Sequence, residues 1–276
     1  MPEKTLEQII CDQVVRDYFT PNIKAEVILD ALLTPYMEQI LETYMKQKGC
    51  RIQARFLAKE MSIPDPDKGD EESGNNAGPK IDYVLAGGGT IYLVELKTTH
   101  SSEDRSQAEK YQKLCKDKGT TFGSKLGKRL LSILGRSFHI GDSSSMKDAW
   151  EKIWAKRTKF EPPAPDCDAP QTAGTYATKA QWLIRTKNWT QKDKYRSRKY
   201  LYTLGQLLDN SAQDFWDSPM ELLYVTPDGT LPDSFPKIDC INLKEAVSHL
   251  TPNEEDTEGA YLRMLQKIVE EIYGRV

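Results

Sequence analysis

Lys80-Ile81-Asp82-Tyr83-Val84-Leu85-Ala86-Gly87-Gly88-Gly89-Thr90-Ile91-Tyr92-Leu93-Val94-Glu95-Leu96-Lys97-Thr98 is the stretch that decides the fold of this 276-residue chain. Two β-rich runs, 80–86 and 91–98, flank Gly87-Gly88-Gly89-Thr90, which predicts a hairpin. Three charged residues stand where strands normally carry apolar ones: Asp82 on the first run, Glu95 and Lys97 on the second. Side chains alternate along a strand, so Glu95 and Lys97 share one face while Leu96 points away. A turn symmetric about Gly88-Gly89 places Asp82 directly across from Glu95. Opposed residues in such a pair have Cβ atoms about 4.5–5.5 Å apart. Two carboxylates at that separation repel each other in a half-buried sheet unless a cation sits between them. A hard divalent ion with oxygen ligands, Mg²⁺ or Mn²⁺, meets that need. Lys97, one step further on the same face, can then orient a water and neutralise charge on a reacting phosphate. Together these groups are the equipment of metal-assisted phosphodiester hydrolysis. The plainer reading is an exposed hairpin with a Glu–Lys pair on its solvated face. Against it, the apolar flanks on both faces of Tyr92 to Leu96 predict a covered central strand.

Working outward, apolar residues at helical spacing (Leu6, Ile9, Ile10, Val14, Val15, Tyr18) predict an amphipathic helix over 6–19, ended by Pro21-Asn22. A longer helical pattern runs over 23–47, bent near Pro35 and capped by Gly49. A strand is expected from about residue 54, and the polar, Gly- and Pro-rich stretch 64–80 is expected to be a loop. Helices are expected over 103–118, 125–134, 145–159 and 196–209, with a proline-rich loop over 161–175. A buried strand over 221–226 leads into the turn Pro227-Asp228-Gly229, and a helix over 261–273 closes the chain. This order predicts an α/β sandwich around a mixed sheet. Trp150 and Trp154, at helical spacing, read as core rather than as a base-stacking platform, and Trp182 and Trp189 remain open.

Charge is segregated along the chain. Residues 105–200 carry 22 Lys and Arg against 9 Asp and Glu, while the rest carries 16 against 32, leaving a net charge of −3. Within 179–199 eight basic residues face the single acid Asp193, with Trp182, Trp189 and Tyr195 interleaved. Cations with aromatics suit a polyanion, since cations meet phosphates and rings stack on unpaired bases; the bland alternative is a solvated Lys-rich face. A hydrophobic content of 38% with 29% charged residues argues against wholesale disorder. No run of about 18 apolar residues occurs, which excludes a spanning helix. Met1-Pro2-Glu3-Lys4 does not open a secretory signal. Cys11, Cys50, Cys115, Cys167 and Cys240 form no Cys-x-x-Cys pair, which argues against structural zinc and predicts a reducing cytoplasm.

Ile81-Asp82, followed by Glu95-Leu96-Lys97 on the next strand, resembles the core of the PD-(D/E)XK nuclease superfamily, which includes restriction endonucleases and many repair and phage exonucleases. The stretch Leu223-Tyr224-Val225-Thr226-Pro227-Asp228-Gly229 resembles a late strand of some branches. The resemblance covers about residues 20–118 and 218–229, and Ile81 stands where the family usually has proline. It implies a restriction-endonuclease-like, three-layer α/β/α core with a central mixed sheet and a helical insertion. The expected organisation is a single domain over 1–276 with a basic, largely helical insertion at 120–195.

Carried over residue by residue, the resemblance makes Asp82 and Glu95 metal ligands, joined by the Leu96 carbonyl, and makes Lys97 the catalytic lysine. Some branches add a carboxylate from the helix before the sheet, for which Glu26 is the first choice and Glu38 the second. Others carry Gln-x-x-Tyr on the helix after the lysine; this chain has Gln107 and Tyr111, one residue further apart. These two, with Lys125, Lys128, Arg129, Lys194, Arg196, Arg198 and Lys199, are the candidate nucleic-acid contacts. The implied function is a cytoplasmic Mg²⁺- or Mn²⁺-dependent nuclease, acting on DNA rather than RNA, with no membrane partner and with a homodimer left open. The rivals are a protein of the same fold that binds nucleic acid or a protein partner without cutting, and one whose basic insertion and acidic remainder engage each other or a second subunit.

Overall fold

The computed structural model of the chain describes residues 25–63, 80–99, 104–116, 119–157, 174–186, 196–254 and 259–274. The expected helix over 6–19 and the expected loop over 64–79 lie outside them, as does most of the proline-rich stretch. The fold is α/β. Five strands, β1 (Arg55–Ser62), β2 (Lys80–Gly87), β3 (Thr90–Leu96), β4 (Met220–Thr226) and β5 (Asp239–Asn242), form one sheet in the order β1-β2-β3-β4-β5. β1 runs antiparallel to β2 and β4 parallel to β5, so the sheet is mixed. The described residues fall into two compact units, one made of those within 25–54, 94–109 and 222–274, the other of those within 55–93 and 110–221.

The decisive hairpin forms for a local reason. Gly88 and Gly89 take φ of +58° and +82°, and a two-residue turn of that hand is open to glycine at little steric cost. Beyond the turn, Ile91 to Lys97 are all buried, as are Tyr83 to Gly87. A strand covered on both faces reads as a near-continuous apolar run, and this is what the flanks of Glu95 predicted. Two bonds set the neighbour of β3: the Ile91 amide donates to the Pro219 carbonyl (2.9 Å) and the Lys97 amide to the Val225 carbonyl (2.8 Å). The stagger is equal at both points, so β3 and β4 are parallel, with Glu95 beside Tyr224 and Lys97 beside Thr226.

In the first unit the long helical pattern is broken as expected. α1 (Ala25–Leu33) ends at a 3₁₀ turn holding Pro35, and α2 (Met37–Gln47) resumes the helix. α2 buries Met37, Ile40, Leu41 and Tyr44, and the Tyr44 hydroxyl donates to Asp239 on β5 at 3.0 Å. α8 (Leu243–Ser248) is capped by the Asn242 side chain, and α9 (Ala260–Tyr273) buries Leu262, Leu265, Ile268 and Val269. The reading of the sequence did not anticipate β5 or α8. β5 has four residues and Ile241 is its only buried one, too short a run to show a period.

Helix α3 (Arg105–Lys116) begins in the first unit and ends in the second. The second unit adds α4 (Lys128–Phe138), α5 (Met146–Ala155), α6 (Tyr176–Thr186) and α7 (Arg196–Asp209). α6 was also unanticipated. Its N-terminus is closed by Asp209 of α7, whose carboxylate accepts from the Tyr176 and Ala177 amides at 2.7 and 2.8 Å. Trp150 is buried and stacks on Trp154 at 6.0 Å, and Trp182 meets Trp154 edge-on at 5.9 Å. Trp150 is core, as expected, while Trp154 is half-buried against it and Trp182 joins the pair.

Candidate active site

Strand β3 delivers the central charges into a covered environment. Glu95 is 3% exposed and Lys97 7%, so an exposed hairpin with a solvated pair is excluded. The Lys97 ammonium donates to Glu95 Oε1 at 2.7 Å. The Gln107 side-chain amide, from the first turn of α3, donates to the same oxygen at 3.2 Å. Gln107 thereby marks the face of the sheet on which Glu95 and Lys97 stand. By the β3–β4 and β4–β5 registers, Tyr224, Thr226, Cys240 and Asn242 belong to that face as well. Thr98, just past the strand, accepts from the Tyr273 hydroxyl of α9 at 2.7 Å.

A buried ion pair of this kind adds little net stability. Taking both charges out of water costs several kcal/mol per ion, roughly what their attraction returns, and apolar residues of similar volume often do as well or better.

No protein-family model, curated protein or solved structure matches this chain.

Asp82 is half-buried on β2, and the β1–β2 register, with Lys59 opposite Tyr83 and Met61 opposite Ile81, sets it across from Glu60. Glu38 is exposed on α2; Glu26 is in the first turn of α1, but its side chain lies outside the described residues. Tyr111, one helical turn past Gln107, is fully buried, and its hydroxyl donates to the Lys80 carbonyl.

Among the basic candidates, Lys128 is exposed on α4, while Lys125, Arg129 and Arg198 are half-buried. Lys199 pairs with Glu60 Oε2 at 2.8 Å, and Lys80 stands 3.6 Å from that oxygen. The hydrogen bond from Lys199 holds the Glu60 carboxyl below its usual range. Lys199 is also pushed down, because burial outweighs the pull of its partner. Lys194 and the side chain of Arg196 lie outside the described residues.

Among the described residues no group of three or more His, Cys, Asp or Glu could hold a metal ion. The donors present still suit a hard divalent cation. Mg²⁺ keeps most of its waters and takes one or two carboxylates with substrate phosphate, and a buried carboxylate beside a strand-end carbonyl is an oxygen set of that type. Tyr224 and Thr226 were not singled out from the sequence. Alternation puts them on one face of their strand, but only pairing with β3 reveals which face that is. No helix among the described residues is long and apolar enough to cross a membrane.

Proposed function

We propose that this chain is a metal-dependent nuclease that hydrolyses phosphodiester bonds, of DNA in the first instance, on a three-layer restriction-endonuclease-like fold. The observation that carries the reading is the Glu95–Lys97 pair buried in a covered strand, with Gln107 on the same carboxylate oxygen. Glu95, Asp82 from β2 and the Leu96 carbonyl are the groups that would hold Mg²⁺ or Mn²⁺. When bound, such a cation supplies Lewis acidity toward a phosphoryl oxygen and lowers the pKa of a bound water.

The chain's own residues do the rest. Gln107 holds the Glu95 carboxylate in one orientation, so that its oxygens do not need to be ordered at the moment of reaction. Lys97 brings up to three N–H donors on a compact positive charge. It orients the attacking water and offsets the negative charge that grows on the phosphate. The strand's burial keeps bulk water away, which strengthens each of these contacts. Lys125, Lys128, Arg129 and Arg198 then meet the phosphates of the nucleic acid backbone, a contribution that weakens as salt rises.

The test is incubation of the purified protein with circular and linear, single- and double-stranded substrates in Mg²⁺, Mn²⁺ or chelator. Cleavage that needs the cation and vanishes in Lys97→Met supports the reading. Full activity in Lys97→Met removes the mechanism, and cation-independent binding without turnover supports the non-cutting rival.

A further inference from the structure

Thr226 closes β4 on the face of the sheet that carries Glu95 and Lys97. The residue is 0% exposed, and among the described residues its Oγ1 has no hydrogen-bond partner. A buried hydroxyl left in that state costs free energy, and such groups in native proteins are few and call for an explanation. Its position supplies one. The Lys97 amide bonds to the Val225 carbonyl, which makes Thr226 the lateral neighbour of Lys97 on the face that carries Glu95. Neighbouring strands lie about 4.8 Å apart, so the two side chains stand side by side, within the reach of a lysine that changes rotamer.

Among the described residues the Lys97 ammonium has one acceptor, Glu95 Oε1. If Glu95 turns its oxygens to a cation, the ammonium must find another acceptor in a place with no bulk water. Valine, with the same shape, would fill the site as well but offer nothing to a cation. We infer that Thr226 is the positioning residue for Lys97: its hydroxyl accepts the ammonium when Glu95 is engaged elsewhere, and so aims the amine at the reacting phosphate. This inference rests on the nuclease reading and adds to it a residue that acts through Lys97 rather than on substrate.

Two variants test it, Thr226→Val and Thr226→Ser, each measured in three ways. In chelator, Thr226→Val should unfold at the same urea concentration as the parent or a higher one, since it removes an unsatisfied group. Titrated calorimetrically with Mn²⁺ alone, it should bind about tenfold more weakly, the scale of a hydrogen bond to a charged group. Thr226→Ser, which keeps the hydroxyl, should bind Mn²⁺ like the parent. On DNA with Mg²⁺, Thr226→Val should lose kcat with little change in KM, and Thr226→Ser should retain it. Parent-like Mn²⁺ affinity and turnover in Thr226→Val overturn the inference while the parent's cleavage still stands for the nuclease reading. A Val variant less stable than the parent overturns it too, because the hydroxyl then has a structural bond. A parent that neither binds Mn²⁺ nor cuts overturns both.

Discussion

Lys97→Met is the perturbation with the sharpest expected magnitude. It leaves a Glu95 side chain that is 4% exposed, with the Gln107 amide still at 3.2 Å but without the ammonium that pairs with it in the parent. Breaking a buried pair from one side costs about 3–5 kcal/mol, because the remaining charge is uncompensated. Whole-protein stabilities run at about 5–15 kcal/mol, so this is a large fraction of the total. At about 2–4 °C per kcal/mol for a chain of this size, the unfolding midpoint falls by roughly 6–20 °C. Glu95→Gln strands the ammonium and should cost a similar amount. The double variant Glu95→Gln/Lys97→Met removes both charges and should lie within about 1 kcal/mol of the parent, a coupling of at least about 5 kcal/mol. Urea unfolding in chelator, followed by circular dichroism, measures all four corners of the cycle. Mg²⁺ at a hundred times Kd stabilises the form that binds it by about 2.7 kcal/mol, and at one fixed concentration Lys97→Met, whose carboxylate has lost the competing ammonium, should gain more than the parent. Single variants that each cost under about 1 kcal/mol and simply add would refute the picture of a desolvated pair.

Gly127→Ala should destabilise by about 1–3 kcal/mol, since a Cβ there would sit 2.4 Å from the Trp216 ring; unfolding curves matching the parent would show that the ring moves freely. Glu60→Gln should cost no more than about 1 kcal/mol, as Glu60 pairs with Lys199 near solvent. Because the Glu60 carboxyl is held low by Lys199, its contribution is present above the ordinary glutamate range and disappears as pH falls through its lowered value. A pH series of midpoints should therefore show the gap between parent and variant closing only in acid, and a gap constant down to acid pH would contradict this. The Cys115 thiol is pushed up to about 12 by burial and by the nearby Glu221, whereas Cys50 is exposed. Iodoacetamide at pH 8 should then label Cys50 and spare Cys115 in the native protein, as read by peptide mass mapping; equal labelling would count against the packing around Cys115.

Much of this architecture was legible in the sequence because the physics is local. Pro35 cannot donate within a helix, so the pattern over 23–47 breaks into α1 and α2 where it was expected to bend. Gly88 and Gly89 set the hairpin, and the apolar flanks of Glu95 announced its burial. What escaped was long-range. α6 carries its apolar residues Tyr176, Ala180 and Leu183 at helical spacing, but it lies beside the cationic run that dominated the reading, and its cap comes from Asp209, far along the chain. β5 is too brief to show a period and exists because Thr226 and its neighbours offer it a parallel edge. The hydrogen bond from Gln107 to Glu95 follows from how α3 returns over the sheet, and the place of Thr226 beside Lys97 follows from strand register. Neither can be counted off along the chain. The basic residues were legible as charge but not as partners: Lys199 is taken up by Glu60, and spacing gave no hint of that.

The account depends most on whether acidic groups from β2 and β3 hold one divalent ion. Titration of Mn²⁺ into the parent, Asp82→Asn and Glu95→Gln, followed by the paramagnetic resonance of the free ion, addresses this without any substrate. The account predicts saturable uptake by the parent and its loss in each variant, with folding intact by circular dichroism. Uptake unchanged in both variants, or none in the parent, would contradict it.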